Sequence, residues 1–348
     1  MKIVATSAIT IAILCVAGTS ARAADAFPVT QGKAYKFEKV AEGVYYASGG
    51  IGSNNVVIVN DRDVVLVDDG STPAAARAFL EDIKLLTNKP VTAVINTHFH
   101  YDHTDGNSVF SPEVQVIGHE YLRNAILTFD VLHREPFKTS MGTRLQEQVA
   151  SLKTQIAAAK DPAQKAELSK ELATAESLPE QAREIKPTPP NVTYATKMSL
   201  YKGSREIQLL FLGRGHTGGD TFVYLPKERI VCTGDMDEGA RIAYMGDAFF
   251  DEWIVTLDAL KKLDFTLVLP GHGRPFRDKS IITAFQDYLK DSTAKVATLR
   301  KQGMTPEEAA KRVDLTSHKK DFPDIQTAGA DLRGVRRIYQ WMDETHKN

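Results

Sequence analysis

Asn96-Thr97-His98-Phe99-His100-Tyr101-Asp102-His103-Thr104-Asp105-Gly106-Asn107 places three imidazoles and a carboxylate within six residues, directly after the apolar run Val91–Ile95. That run reads as a buried strand, so the histidines sit where a strand opens into a loop. Neutral imidazole nitrogen and carboxylate oxygen are the ligands zinc takes in sites that keep a position open for water. His98 and His100 alternate as strand neighbours do and can point the same way, whereas the adjacent Asp102 and His103 must reach in different directions. One segment can then serve two metals. A histidine-rich surface loop is the competing explanation, and it suits a lone histidine better than this spacing.

Four more segments carry acids or histidines just past apolar runs: Val64-Val65-Leu66-Val67-Asp68-Asp69-Gly70 upstream, then Gly215-His216-Thr217, Thr233-Gly234-Asp235 and Pro270-Gly271-His272-Gly273 downstream. Strand ends are where a rigid sheet presents chemistry. Together these segments resemble the metal-binding signature of the metallo-β-lactamase superfamily, in the family's order, from about Phe37 to about Pro275. The resemblance implies an α/β fold, a four-layer αββα sandwich, and two zinc ions per chain. It puts His98, His100 and His216 on one ion and Asp102, His103 and His272 on the other, with Asp235 bridging. It further implies that Asp68 holds a metal-bound imidazole in its tautomer, and that Asp102 orients the nucleophile as well as binding metal. A hydroxide shared by the two ions would attack an acyl centre.

With 348 residues, 43 Lys and Arg against 44 Asp and Glu, and a formal net charge of −1, the chain can bury a full core and has no general attraction for nucleic acid or acidic lipid. The partner expected is a small-molecule substrate. Residues 1–23 read as a cleavable secretory signal: Met1-Lys2, an apolar run over residues 3–16, and Ala21-Arg22-Ala23 before Ala24. The run is short and broken by Thr6, Ser7 and Thr10, which argues against a stable membrane anchor. A periplasmic or secreted protein is expected. Loss of Cys15 with the signal would leave Cys232 as the only cysteine, with no partner for an internal disulfide. Its setting, Ile230-Val231-Cys232, suits a small buried hydrophobe.

The body is expected over residues 24–278. Residues 35–67 read as a β-meander, with Gly49, Gly50 and Gly52 forming a turn, since no P-loop lysine follows. Residues 73–86 carry helical spacing with Ser71 or Thr72 as the cap. Residues 145–178 repeat apolar side chains at helical spacing in two runs separated by Asp161-Pro162, which predicts a helical hairpin inserted at about 143–186. One apolar stripe must bury against the body or a second subunit. A helical C-terminal extension, 279–348, offers packing or a homo-oligomer surface. His119, His133, His318 and His346 are assigned no function, and Tyr244, Arg214 and Phe249 are candidates for the pocket wall.

The reaction class expected is zinc-dependent hydrolysis of a cyclic amide or ester, a β-lactam or a lactone. A bridging Asp235 is what lactonases, glyoxalase II-like thioesterases and phosphodiesterases of the family use, so a thioesterase or phosphodiesterase is the alternative. A mononuclear iron oxygenase or a non-catalytic binding protein on the same scaffold is the alternative of another class, disfavoured by the complete second ligand set. Diiron relatives place Glu at the position of His100, which counts against redox chemistry. No G-x-S-x-G elbow supports a serine nucleophile.

Overall fold

The computed structural model describes residues 27–345, so the signal-like segment and His346 lie outside the described residues. The first sheet contains β1 (Val29–Gln31), β2 (Lys36–Ala41), β3 (Val44–Ser48), β4 (Asn55–Val59), β5 (Val64–Val67), β6 (Val91–Ile95), β7 (Gln115–His119) and β8 (Val192–Tyr194), in that spatial order. β1 to β5 form an antiparallel meander, and β5 to β8 run parallel. The second sheet is ordered β13-β12-β11-β10-β9, from β9 (Lys197–Lys202), β10 (Arg205–Leu210), β11 (Phe222–Leu225), β12 (Ile230–Gly234) and β13 (Leu267–Pro270). Only its β12–β13 pair is parallel.

Side chains alternate between faces along each strand, and that alternation builds the layers. In β5, Val65 and Val67 face the second sheet while Val64 and Leu66 face helix α1 (Pro73–Ile83). In β12, Ile230 and Cys232 join the core between the sheets, whereas Val231 faces the helices beyond. Cys232 is thus a small apolar filler, and burial pushes its thiol far up. Those outer helices are α7 (Phe250–Lys261) and α8 (Ser280–Lys301), with Trp253, Leu257, Phe285 and Leu289 packed over Phe222 and Val268. The result is the expected sandwich of helix, sheet, sheet and helix.

Helix α1 starts where the sequence places it. Thr72 is the cap, its hydroxyl accepting from Ala75 N at 3.0 Å, and Pro73 fills the first turn, where a missing N–H costs nothing. Thr72→Ala should lower stability by about 1 kcal/mol, read as a shifted denaturation midpoint at constant slope.

Two short helices, α2 (Tyr101–Thr104) and α3 (Glu120–Thr128), and the single turn α4 (Phe137–Thr139) lead to the hairpin of α5 (Leu145–Ala158) and α6 (Pro162–Ala182). Asp161 caps α6 and Pro162 opens it, as the sequence predicts. Leu145, Leu152 and Ala175 bury their faces against each other, so the stripe is covered largely within the hairpin. Its end is tied to α1 by Thr72 donating to Gln181 (2.8 Å) and by the Arg77–Glu184 pair (2.6 Å). At the C-terminal end, α9 (Pro306–Arg312) and α10 (Leu332–Thr345) pack into the α7–α8 layer through Ala309, Val335 and Ile338. No helix of the described residues is long and apolar enough to cross a membrane.

Candidate metal centre

The C-terminal ends of β5, β6, β12 and β13 open on one edge of the sandwich, and the loop after β10 joins them there. Backbone bonds hold these loops together: Thr221 N donates to Thr97 O (2.8 Å), Gly271 N to Gly234 O (2.8 Å), and Ser53 N to Asp102 O (3.2 Å). Glycine is required at two of the contacts. Gly234 has φ +52°, and a side chain there would meet Thr97 Oγ1 at 2.7 Å; one on Gly271 would meet Asp235 Oδ1 at 2.4 Å.

All seven side chains singled out from the sequence converge here, in two groups. His98, His100, His216 and Asp235 form one, Asp102, His103 and His272 the other, with the donor atoms of each group within 4.8 Å of one another. His98 Nε2 and His216 Nε2 each lie 2.9 Å from His100 Nδ1. Asp235 Oδ2 stands 3.8 Å from His98 Nε2 and 3.6 Å from both His216 Nε2 and His272 Nε2, while Oδ1 is 3.3 Å from His103 Nε2. The carboxylate therefore reaches both groups. Asp102 Oδ2 lies 3.0 Å from His272 Nε2 and 3.7 Å from His103 Nε2.

This set fits zinc. Ligands on a tetrahedral zinc with bonds of about 2.1 Å stand about 3.4 Å apart, and the separations above bracket that value. His103 Nε2 and Asp235 Oδ1 are buried 3.3 Å apart and make no well-formed hydrogen bond, an expensive arrangement for polar atoms that a cation between such donors would complete.

The electrostatics of the cluster follow from burial and the carboxylates around it. Burial holds His98 well below its usual range, helped by the neighbouring His103, and takes His216 down to about 3 with His100 beside it. Both are neutral and able to donate a lone pair. Burial pulls the same way on His103 and His272, but Asp235 and Asp102 overcome it, raising His103 well above its usual range and His272 to about 9. Burial pushes Asp102 upward, and His103 and His272 outweigh it, bringing the carboxyl down to about 2.

Two acids orient the imidazoles from behind. Asp68, at φ 57° on the end of β5, accepts from Thr97 N, Thr97 Oγ1 and His103 Nδ1, all at 2.8 Å, which turns His103 Nε2 toward the cluster. Such a strained backbone persists where surrounding contacts determine it. Asp247 does the same for His100, accepting from Nε2 at 2.9 Å, and is itself bonded by Arg134, whose guanidinium lies over the Phe99 and Phe129 rings. Asp247 has no sequence signature, because its loop follows no spacing rule. Asp247→Ala should weaken zinc binding about 10- to 100-fold, measured by competition with a chromogenic chelator.

His100, Asp102, Asp235 and His272 of the cluster line a pocket of about 620 Å³. Tyr244 lines it, its ring 5.4 Å from that of His100. Arg214 and Phe249 do not: the guanidinium is held by Glu252 and stacks on the Phe249 ring at 4.2 Å, outside the pocket wall. Arg144, from the base of the hairpin, also lines the pocket, as do Arg333, Asp331 and Gln326 from the C-terminal extension, which is thus more than the packing or oligomer surface its helical spacing suggests. His119 caps α3 and bonds Ala195 O, His133 pairs with Asp130, and His318 pairs with Asp291, all away from the cluster.

Comparison with known proteins places this geometry in context. The sequence pattern described as the Metallo-beta-lactamase superfamily matches residues 48–272. A linear primary-alkylsulfatase of Pseudomonas sp. (strain ATCC 19151) is 23% identical over 301 residues, covering 80% of this chain and 53% of its own length. A metallo-beta-lactamase type 2 of Bacillus sp. (strain 170) is 24% identical over 251 residues, covering 71% of this chain and 76% of its own. Among solved structures, an inverting sec-alkylsulfatase from Pseudomonas sp. superposes with a TM-score of 0.62 at 18% identity, covering 87% of this chain and 49% of its own. The chain thus spans about half the length of the alkylsulfatases it matches.

Proposed function

Because the chain belongs to the metallo-β-lactamase superfamily, we propose that it is an exported, zinc-dependent hydrolase that cleaves an acyl bond in a cyclic amide or ester, a β-lactam or a lactone. One observation carries this reading: seven donor side chains converge in two adjoining groups, and His100, Asp102, Asp235 and His272 of them line an open pocket. His98, His100 and His216 would hold one ion, Asp102, His103 and His272 the other, with Asp235 between them. When bound, two zinc ions supply a water that is nucleophilic near neutral pH and polarise the bond under attack.

The chain's own residues do the rest. Asp68 and Asp247 fix the imidazole orientations, so little reorganisation accompanies the reaction. Asp102 lines the pocket as well as facing the second group, so its carboxylate can orient the attacking water. Asp102→Asn should therefore lower kcat by about 100-fold or more while zinc content falls by less than half, checked by elemental analysis of the assayed sample. Tyr244 and Arg241 stand on the wall where a bound substrate would lie.

A second reading, hydrolysis of a sulfate ester, is favoured by the alkylsulfatase comparison covering more of this chain than the β-lactamase comparison does, 80% against 71%. The test is a parallel assay of zinc-loaded protein on a chromogenic cephalosporin, an acyl-homoserine lactone, a glutathione thioester, an aryl phosphodiester and an alkyl sulfate. Turnover of the cephalosporin or the lactone is expected. Turnover of the alkyl sulfate alone would establish the second reading, and turnover of none would contradict both.

A further inference from the structure

Loop 244–248, between β12 and α7, carries two side chains that stand beside the donor cluster. Asp247 bonds His100 from behind, and Tyr244 lines the pocket with its ring steeply tilted against those of His100, at 5.4 Å, and His216, at 6.3 Å. The Tyr244 hydroxyl makes no hydrogen bond among the described residues, and burial, with Asp247 nearby, pushes its pKa up so that it stays protonated. A phenol of that kind on a pocket wall has a proton to donate to a bound molecule.

What fixes this loop comes from the C-terminal extension. Helix α10 meets it at three points: the Arg333 guanidinium lies over the Tyr244 ring, 4.8 Å from its centre; Gly334 leaves room for Met245, whose Cε would stand 3.1 Å from a Cβ at that position; and Arg337 Nε donates to Ala248 O at 2.8 Å. Arg333 is itself held. Asp331 accepts from its Nε at 3.0 Å and its Nη2 at 2.6 Å, and pairs with Arg144 of the hairpin base at 2.9 Å, while Glu135 stands 3.6 Å from Nη1. Because Nη1 is buried without a hydrogen bond, Glu135 and the electron-rich face of Tyr244 are what offset its charge. The hydroxyl end of Tyr244 lies against Gly246, where any side chain would collide with it. The ring is thus held at its face and at its tip.

We propose that Arg333 is a positioning residue, holding Tyr244 so that its phenol donates to an oxygen of the bound substrate; the C-terminal extension is thereby part of the substrate-binding machinery. The proposal rests on the hydrolase reading for the presence of a substrate over the donor cluster. Tyr244→Phe removes only the donor and should raise KM about 5- to 10-fold, with kcat within about twofold, on whichever substrate of the parallel assay is cleaved. Arg333→Met keeps the bulk and leaves Asp331 in place before α10, where it accepts from the backbone N of residue 333 at 2.9 Å. It should raise KM by as much, with zinc content unchanged. In the double variant the two effects should not multiply, because Arg333 acts through a hydroxyl that Tyr244→Phe has already removed. A crystal structure of zinc-loaded Arg333→Met should show the Tyr244 ring turned from its place, a result independent of turnover. If circular dichroism shows that Arg333→Met does not fold, Arg333→Lys is put through the same measurements. An unchanged KM, multiplied effects in the double variant or an unmoved ring overturns the proposal. The two readings fail separately: a turned ring with no substrate cleaved by the wild type sinks the hydrolase reading alone, and turnover with an unmoved ring sinks the positioning role alone.

Discussion

Asp235→Ala is expected to reduce hydrolysis by at least about a thousandfold, because the several kcal/mol of charge stabilisation that paired metal ions give a transition state depends on both being held in register. The Asp235 carboxylate faces donor nitrogens of both groups, 3.3 Å from His103 on one side and 3.6 Å from His216 on the other. Removing it takes away a shared ligand and leaves His103 and His272 facing each other across a buried gap without the carboxylate that offsets them. The protein should nevertheless remain folded, since the sandwich core between the sheets is apolar and built from strands that end before the cluster. His98→Ala should have the same effect on rate through the first group alone. Both variants are judged by steady-state turnover together with circular dichroism, and undiminished turnover in either contradicts the ligand scheme.

Removal of metal is the second large effect. A ligand that binds only the folded chain adds stability of about 4 kcal/mol when present at about a thousand times its dissociation constant. Treating the protein with a strong chelator should therefore lower its Tm by roughly 8 °C or more, at about 2–4 °C per kcal/mol for chains of this order of size, and readdition of zinc should restore it. The physical source is local: two buried polar atoms, His103 Nε2 and Asp235 Oδ1, stand 3.3 Å apart without a well-formed hydrogen bond, and a cation would satisfy both. Scanning calorimetry before and after chelation checks this, and an unchanged midpoint would mean that the cluster is content without metal. With Cys232 the only cysteine among the described residues, and buried, no disulfide is available there to mask the change.

The ligand set was legible through its resemblance to a known metal-binding signature, supported by the apolar runs that place His98, His216, Asp235 and His272 shortly past strand ends. Which of those ends share an edge is set by strand order and direction, and a short apolar run by itself specifies neither. The layers were legible through the family resemblance rather than through local pattern: β5 and β12 are apolar on both faces, so only the fold shows which of their side chains meets the other sheet and which meets the helices. What the sequence could not convey is contact between segments that share no periodic pattern. Asp247 reaches His100 from a loop 147 residues away, and Arg134 reaches Asp247 from another. The pocket wall drew Asp331 and Arg333 from an extension whose helical spacing announced only an amphipathic face. The hairpin, by contrast, was foreseen as a unit through Asp161 and Pro162.

The central claim is that these seven side chains hold a pair of zinc ions. Elemental analysis of the purified protein, without added metal, tests it most directly. The account predicts about two zinc ions per chain, falling together with activity when the chelator is applied. One iron per chain, or full activity in protein that carries no metal, would contradict it.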